Sequence, residues 1–116
     1  MEMRIVTKIK KITSGELKEI ATGQFGDFIK AVVDVEQEIM IVGSELHADG
    51  EALLLERGSR QEDIWGVNLY PEKSGEERIA FSSMINIRPS QGNHSRGVED
   101  PARRMRIIAV VRELWV

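Results

Sequence analysis

DFIKAVVDVEQEIMIVG, residues 27–43, is the stretch on which the fold turns. Val32, Val33 and Val35, then Ile39, Ile41 and Val42, are β-branched residues that favour extended backbone. Each run is too short for hydrophobic periodicity alone to separate strand from helix. Glu36-Gln37 breaks the two runs with polar residues, so a hairpin of two strands is the preferred reading. A single helix over residues 28–41 is the alternative.

Working outward from the hairpin, the upstream chain supplies a strand and a helix. MRIVTKIKKI (3–12) reads as a first strand with Ile5 and Ile9 on one face. In TSGELKEIATGQFG (13–26), Thr13 with Glu16 fits a capping box, Leu17, Ile20 and Ala21 form an apolar stripe, and Gly23 can end the helix.

Downstream, ELHADGEALLLERGS (45–59) holds two competing signals. Asp49-Gly50 suits a two-residue turn, but Glu51 to Arg57 are strong helix formers. A short helix follows, with Asp49 as N-cap and Gly58 just past its end. DIWGVNLYP (63–71) reads as a strand stopped by Pro71. ERIAFSSMINIRP (77–89) reads as its partner across the loop PEKSGEE. Asp100-Pro101 opens a last helix, an acid at the N-cap and proline at the first helical position. Its apolar stripe is Met105, Ile108, Val111 and Trp115, widened by Ile107, Val110 and Leu114. The order β-α-β-β-α-β-β-α, joined by hairpins, predicts a single α+β domain over residues 1–116. Its sheet is mainly antiparallel, of about five strands, with helices packed on one face.

Composition agrees with one folded unit. The chain has 116 residues, 41% apolar and 30% charged, which is the balance of a globular protein. It has no cysteine, so disulfides, thiolate metal sites and cysteine nucleophiles are excluded together. No apolar run approaches the ~18 residues of a membrane span, and MEMRIVTKIKK has no signal-peptide core. A cytoplasmic protein is expected, with no membrane partner and no cofactor. The sequon Asn93-His94-Ser95 is set aside for the same reason.

The net charge of −3 is unevenly spread. Acids dominate up to residue 87. Beyond it stand six arginines (88, 96, 103, 104, 106, 112), no lysine and three acids. Arginine's rigid fork of donors suits carboxylate and phosphate. A solvated helix face pairing with the acidic remainder is the plainer account of the same arginines.

Three segments, GSELHADGEALLLERGS, IWGVNLYP and INIRPSQGNHSRGVEDP, resemble those of a small family of uncharacterised prokaryotic proteins, a domain of unknown function. The shared features are ELHAD, WGxNLYP and INIRPSQGN followed by the Ser-Arg pair, and the resemblance covers nearly the whole chain. It implies a short, soluble, prokaryotic protein. It brings no activity and no residue role.

The residues themselves suggest three kinds of chemistry. INIRPSQGNHSRGVEDP (85–101) runs from strand to helix through a polar, glycine-containing loop, which offers backbone donors near a helix N-terminus. Arg88 and Arg96 would add forked donors, and Ser90, Gln91, Asn93 and Ser95 neutral ones, for an anionic, phosphate-bearing ligand or an acidic partner. Asp100 competes, since an N-cap acid takes first-turn donors itself. The alternative is a loop that satisfies its own backbone. Second, Glu45, His47 and Asp49 would share one face of an extended strand and could hold a divalent metal; a helix starting at Asp49 would separate them. Third, the two histidines could serve a metal-independent ribonuclease. His47 or Glu45 would act as base, His94 as acid, and Arg96 as the partner of an RNA phosphate, provided the segments meet. A Ser95-His94-Asp100 triad is disfavoured, because chain neighbours point apart and no nucleophile elbow is present. Trp65 reads as a core residue whose indole N–H finds a local acceptor. Leu114, Trp115 and Val116 form an apolar tip through which the last helix could join a homodimer.

Overall fold

Asp34 explains why residues 27–43 form a hairpin. In the computed structural model, which describes residues 3–116, its carboxylate is fully buried. Oδ1 accepts the N–H groups of Glu36 and Gln37, each at 2.9 Å. Oδ2 accepts the hydroxyl of Ser59 at 2.6 Å. The polar break is therefore a turn held from inside by one side chain. Glu38 completes the turn at φ +57°, the only described residue other than glycine in the left-handed region.

The elements are β1 (Arg4–Val6), α1 (Ser14–Gly23), β2 (Ile29–Asp34), β3 (Ile39–Val42), α2 (His47–Glu56), β4 (Ile64–Leu69), β5 (Ile79–Ala80) and α3 (Pro101–Leu114). The five strands form one antiparallel sheet in the order β1-β3-β2-β4-β5. The expected α+β class, element order and hairpin thus all hold. The capping box at Thr13–Glu16 forms as read, each N–H reaching the other residue's side chain at 3.1 Å. Asp100 caps α3 through Ala102 N–H at 3.0 Å.

Several boundaries and one layer differ from expectation. α1 and α3 cover one face of the sheet, where Leu17, Ile20, Ile107, Val111 and Leu114 pack on Ala31, Val33, Met40, Val42 and Val67. α2 lies on the other face, with Leu54 against Val32, Ile41 and Ile64. The helices therefore do not share one face. The physical reason is the unbroken run Ala31-Val32-Val33: adjacent strand residues point to opposite sides, so both sides need cover. The first strand ends at Val6, because Thr7 and Lys10 exchange backbone hydrogen bonds in a turn. Ile9 at its tip is 99% exposed rather than sharing a face with Ile5. The strand read over 77–89 keeps only Ile79–Ala80; Ser83 accepts Ile85 N–H and starts a 3-10 turn, Met84–Asn86.

α2 begins at His47, not after Asp49, and its N-cap Leu46 supplies no side-chain bond. Its C-terminus is as expected: Gly58 at φ +96° lets Ser59 N–H reach Leu54 O at 2.9 Å and Gly58 N–H reach Leu55 O at 3.1 Å, a Schellman closure. Gly50 inside the helix has a packing role. A Cβ there would stand 2.7 Å from Val32 Cγ2, so its absence lets α2 sit down on β2. No helix among the described residues is long and apolar enough to cross a membrane.

Candidate functional site

The loop from Arg88 to Gly97 is held almost wholly by its own residues. Arg88 is only 8% exposed. Its guanidinium donates to the carbonyls of Ile85, Gln61 and Ile64 and to Gln91 Oε1, and it lies 4.0 Å from the Trp65 ring centre. Gln91 spends its amide on Glu62 O. Asn93 is buried, donating to the carbonyls of Asn86, Ser95 and Gly97 and accepting Glu99 N–H. Asn86 beside it bridges both backbone groups of Gly66 to Arg96 O. The Glu99 carboxylate sits below the ordinary carboxylate range because His94 N–H and the Ser95 hydroxyl bond to it. Ser90 is exposed. The expectation that Arg88 and Arg96 converge on a ligand is therefore corrected. Arg88 and Asn93 are braces whose donors are already used by main-chain carbonyls. The alternative of a self-satisfied loop describes most of the segment.

Arg96 is different. Its side chain is exposed and lines a cleft of about 320 Å³ on the α2 side of the sheet. Lys30 and Asn68, paired across β2 and β4, contribute to its lining with His47 at the start of α2 and with Ser82 and Ser83. Phe28, Leu46, Met84 and Ile85 supply apolar surface, and no lining residue is acidic. Neither Lys30 nor Arg96 makes an ion pair among the described residues. Lys30 Nζ donates to Glu45 O at 2.9 Å and lies 4.9 Å from the Phe25 ring centre, which holds the ammonium at the cleft. The buried Oδ1 of Asn68 has no donor among the described residues.

His47 is 8% exposed, and its Nε2 lies 2.9 Å from Val67 O. A carbonyl only accepts, so Nε2 carries the proton and the Nδ1 lone pair is left. Burial is the main cause that lowers the ring's pKa; the bond to Val67 opposes it, and the charges of Lys30 and Arg96 add to it. Gly66 makes this placement possible. A Cβ there would stand 2.6 Å from Ser83 Cβ and 3.1 Å from His47 Cδ2, so both side chains rest on bare backbone.

The other proposed constellations do not assemble. No group of three or more His, Asp or Glu side chains among the described residues is placed to hold a metal ion. Glu45 precedes α2 and Asp49 lies in its first turn, and both line a separate groove with Glu56. His94 is exposed and does not line the cleft that holds His47. Trp65 is core as read, but its indole N–H has no acceptor among the described residues; Arg88 and Arg103 lie over its ring instead. Trp115 is 5% exposed, its Nε1 donates to Ser14 Oγ at 2.8 Å, and Leu114 is fully buried. Leu114 and Trp115 are therefore part of the chain's own core, while Val116 is 62% exposed.

Lys30, Asn68, Ser82 and Ser83 were missed in the sequence. A signal for two of them existed: Lys30 and Asn68 are the polar interruptions of two apolar strands, and such interruptions on paired strands mark one shared spot on a face.

The fold and cleft define a small α+β domain with a cationic depression beside a helix start. The chain belongs to a family described as protein of unknown function (DUF5674), whose model matches residues 4–114. No curated protein and no solved structure matches it.

Proposed function

We propose that this domain binds a small anionic ligand, phosphate- or carboxylate-bearing with an apolar body, in the cleft between Lys30, His47 and Arg96. The observation that carries this reading is the convergence of two unpaired cations and a histidine on a concave surface without a carboxylate, in a chain of net charge −3. Charge of one sign in a concave site raises the local concentration of the opposite ion. Ser82, Ser83 and Asn68 provide neutral polar partners, and Phe28, Leu46 and Met84 form the apolar rim common to small-molecule sites. Of the loop residues, Arg96 alone keeps its proposed ligand role. The reading is of a binding module: the cleft lining offers one histidine, the cations Lys30 and Arg96 and neutral polar groups, and no carboxylate.

Calorimetric titration with phenyl phosphate and with inorganic phosphate tests it. Lys30→Ala and Arg96→Ala are each expected to weaken phenyl phosphate binding about 5- to 10-fold, equivalent to ~1–1.4 kcal/mol, with unchanged thermal stability. Equal affinity of both variants and the native chain refutes the reading.

A further inference from the structure

Two surfaces outside the cleft match each other in charge. On α3, Arg104, Met105, Ile108, Ala109 and Arg112 recur at helical spacing and, with Ile79 and Phe81, line a groove of about 750 Å³. Met105, expected on the core stripe, is 71% exposed here. The core stripe runs instead through Ile107, Val110, Val111 and Leu114. On α2, Asp49, Ala52, Leu53 and Glu56 recur at the same spacing and line an open groove of about 620 Å³ with Glu45. One stripe reads cation, apolar, cation; the other reads acid, apolar, acid. Along the helix axes Arg104 and Arg112 are about 12 Å apart and Asp49 and Glu56 about 10 Å. Glu76 stands at the edge of the α3 groove near Gly75 and leaves the arginines in the majority.

We infer that the α3 groove receives α2 of a second copy of this chain. Charge complementarity selects the occupant: the acidic α2 stripe belongs to this same chain, and its apolar centre of Ala52 and Leu53 fits Ile108 and Ala109. The two stripes lie on opposite faces of the sheet, so one molecule cannot satisfy both with a single two-fold partner. The contact is heterologous, each copy giving α2 to one neighbour and α3 to another, and it builds rings or open chains. One helix pair is a small interface, so assembly depends on concentration, and its ion pairs make it weaken with salt.

Sedimentation velocity at sub-millimolar concentration tests this. The native chain is expected to form species larger than monomer at low ionic strength and to dissociate as salt is raised. Ala109→Glu with Arg112→Glu closes the α3 groove; Ala52→Glu places a charge at the centre of the α2 stripe. All three positions are exposed, and far-UV circular dichroism checks that each variant folds. Each variant alone is expected to be monomeric. Mixed, they are expected to form a 1:1 dimer and nothing larger, since only one native stripe of each kind remains. A native chain that stays monomeric, variants that assemble like the native chain, or a mixture that stays monomeric overturns the inference.

Discussion

Arg88 and Arg96 stand eight positions apart in one polar loop, yet they meet opposite fates. Arg88 is turned inward and bonded to main-chain carbonyls; Arg96 is left facing the cleft. The sequence shows that donors are present but not whether backbone acceptors already use them, which is why only part of the site was legible. His47 was legible as a candidate, although its setting was not: the Val67 carbonyl comes from a strand twenty residues away. That setting has a measurable effect. In the unfolded chain His47 titrates near its ordinary value, about 6.5, whereas in the folded chain its pKa is lower. The unfolded state thus binds more protons as pH falls below about 6.5, and stability is lost over that range towards the folded pKa. Urea unfolding of the native chain and of His47→Gln, followed from about pH 7.5 to about pH 5, should show a shallower acid-side loss in the variant. Parallel profiles would contradict the assignment.

At the scale of elements, α2 best shows what sequence does and does not reveal. Its existence and its end at Gly58 followed from helix formers and a left-handed closure. Its start did not, because Asp49 resembles an N-cap while the actual cap, Leu46, contributes no side-chain bond. Gly50 suggested a turn, yet it serves the packing of a helix against a strand. Gly50→Ala separates these roles. Helix propensity alone would favour alanine by about 1 kcal/mol, but the new methyl would meet Val32 Cγ2 at 2.7 Å. Overpacking of this kind costs about 1–3 kcal/mol. A net loss of up to about 2 kcal/mol is expected in equilibrium denaturation; a gain would show that the helix shifts freely. The hairpin was legible from the polar break Glu36-Gln37 between two β-branched runs, and Asp34, which bonds to both of those residues, stands close by in the chain.

For the molecule as a whole, reading the element order was helped by two local pairings, β2–β3 and β4–β5, which join strands consecutive in the chain, whereas β1–β3 and β2–β4 pair across intervening elements. The side of the sheet each helix covers could not be read: the run Ala31-Val32-Val33 calls for cover on both faces but does not say which helix supplies it. The most distant contacts were the least legible. Ile12 bridges Trp115 in parallel, Ile12 N–H bonds to Leu114 O, Val116 N–H to Ile12 O, and the Trp115 indole to the Ser14 hydroxyl. This clasp bears on the kinetics of folding. Closing so long a loop carries an entropic cost that the β2–β3 turn does not, so the clasp should form after the rate-limiting barrier. Ser14→Ala, which leaves the indole N–H without its acceptor, should cost about 1 kcal/mol. That cost should appear as unfolding about five times faster, with the refolding limb of the chevron unmoved. Slower refolding would instead place the clasp in the folding nucleus. With a late clasp, α3 is the part of the chain whose detachment limits how long the native state survives.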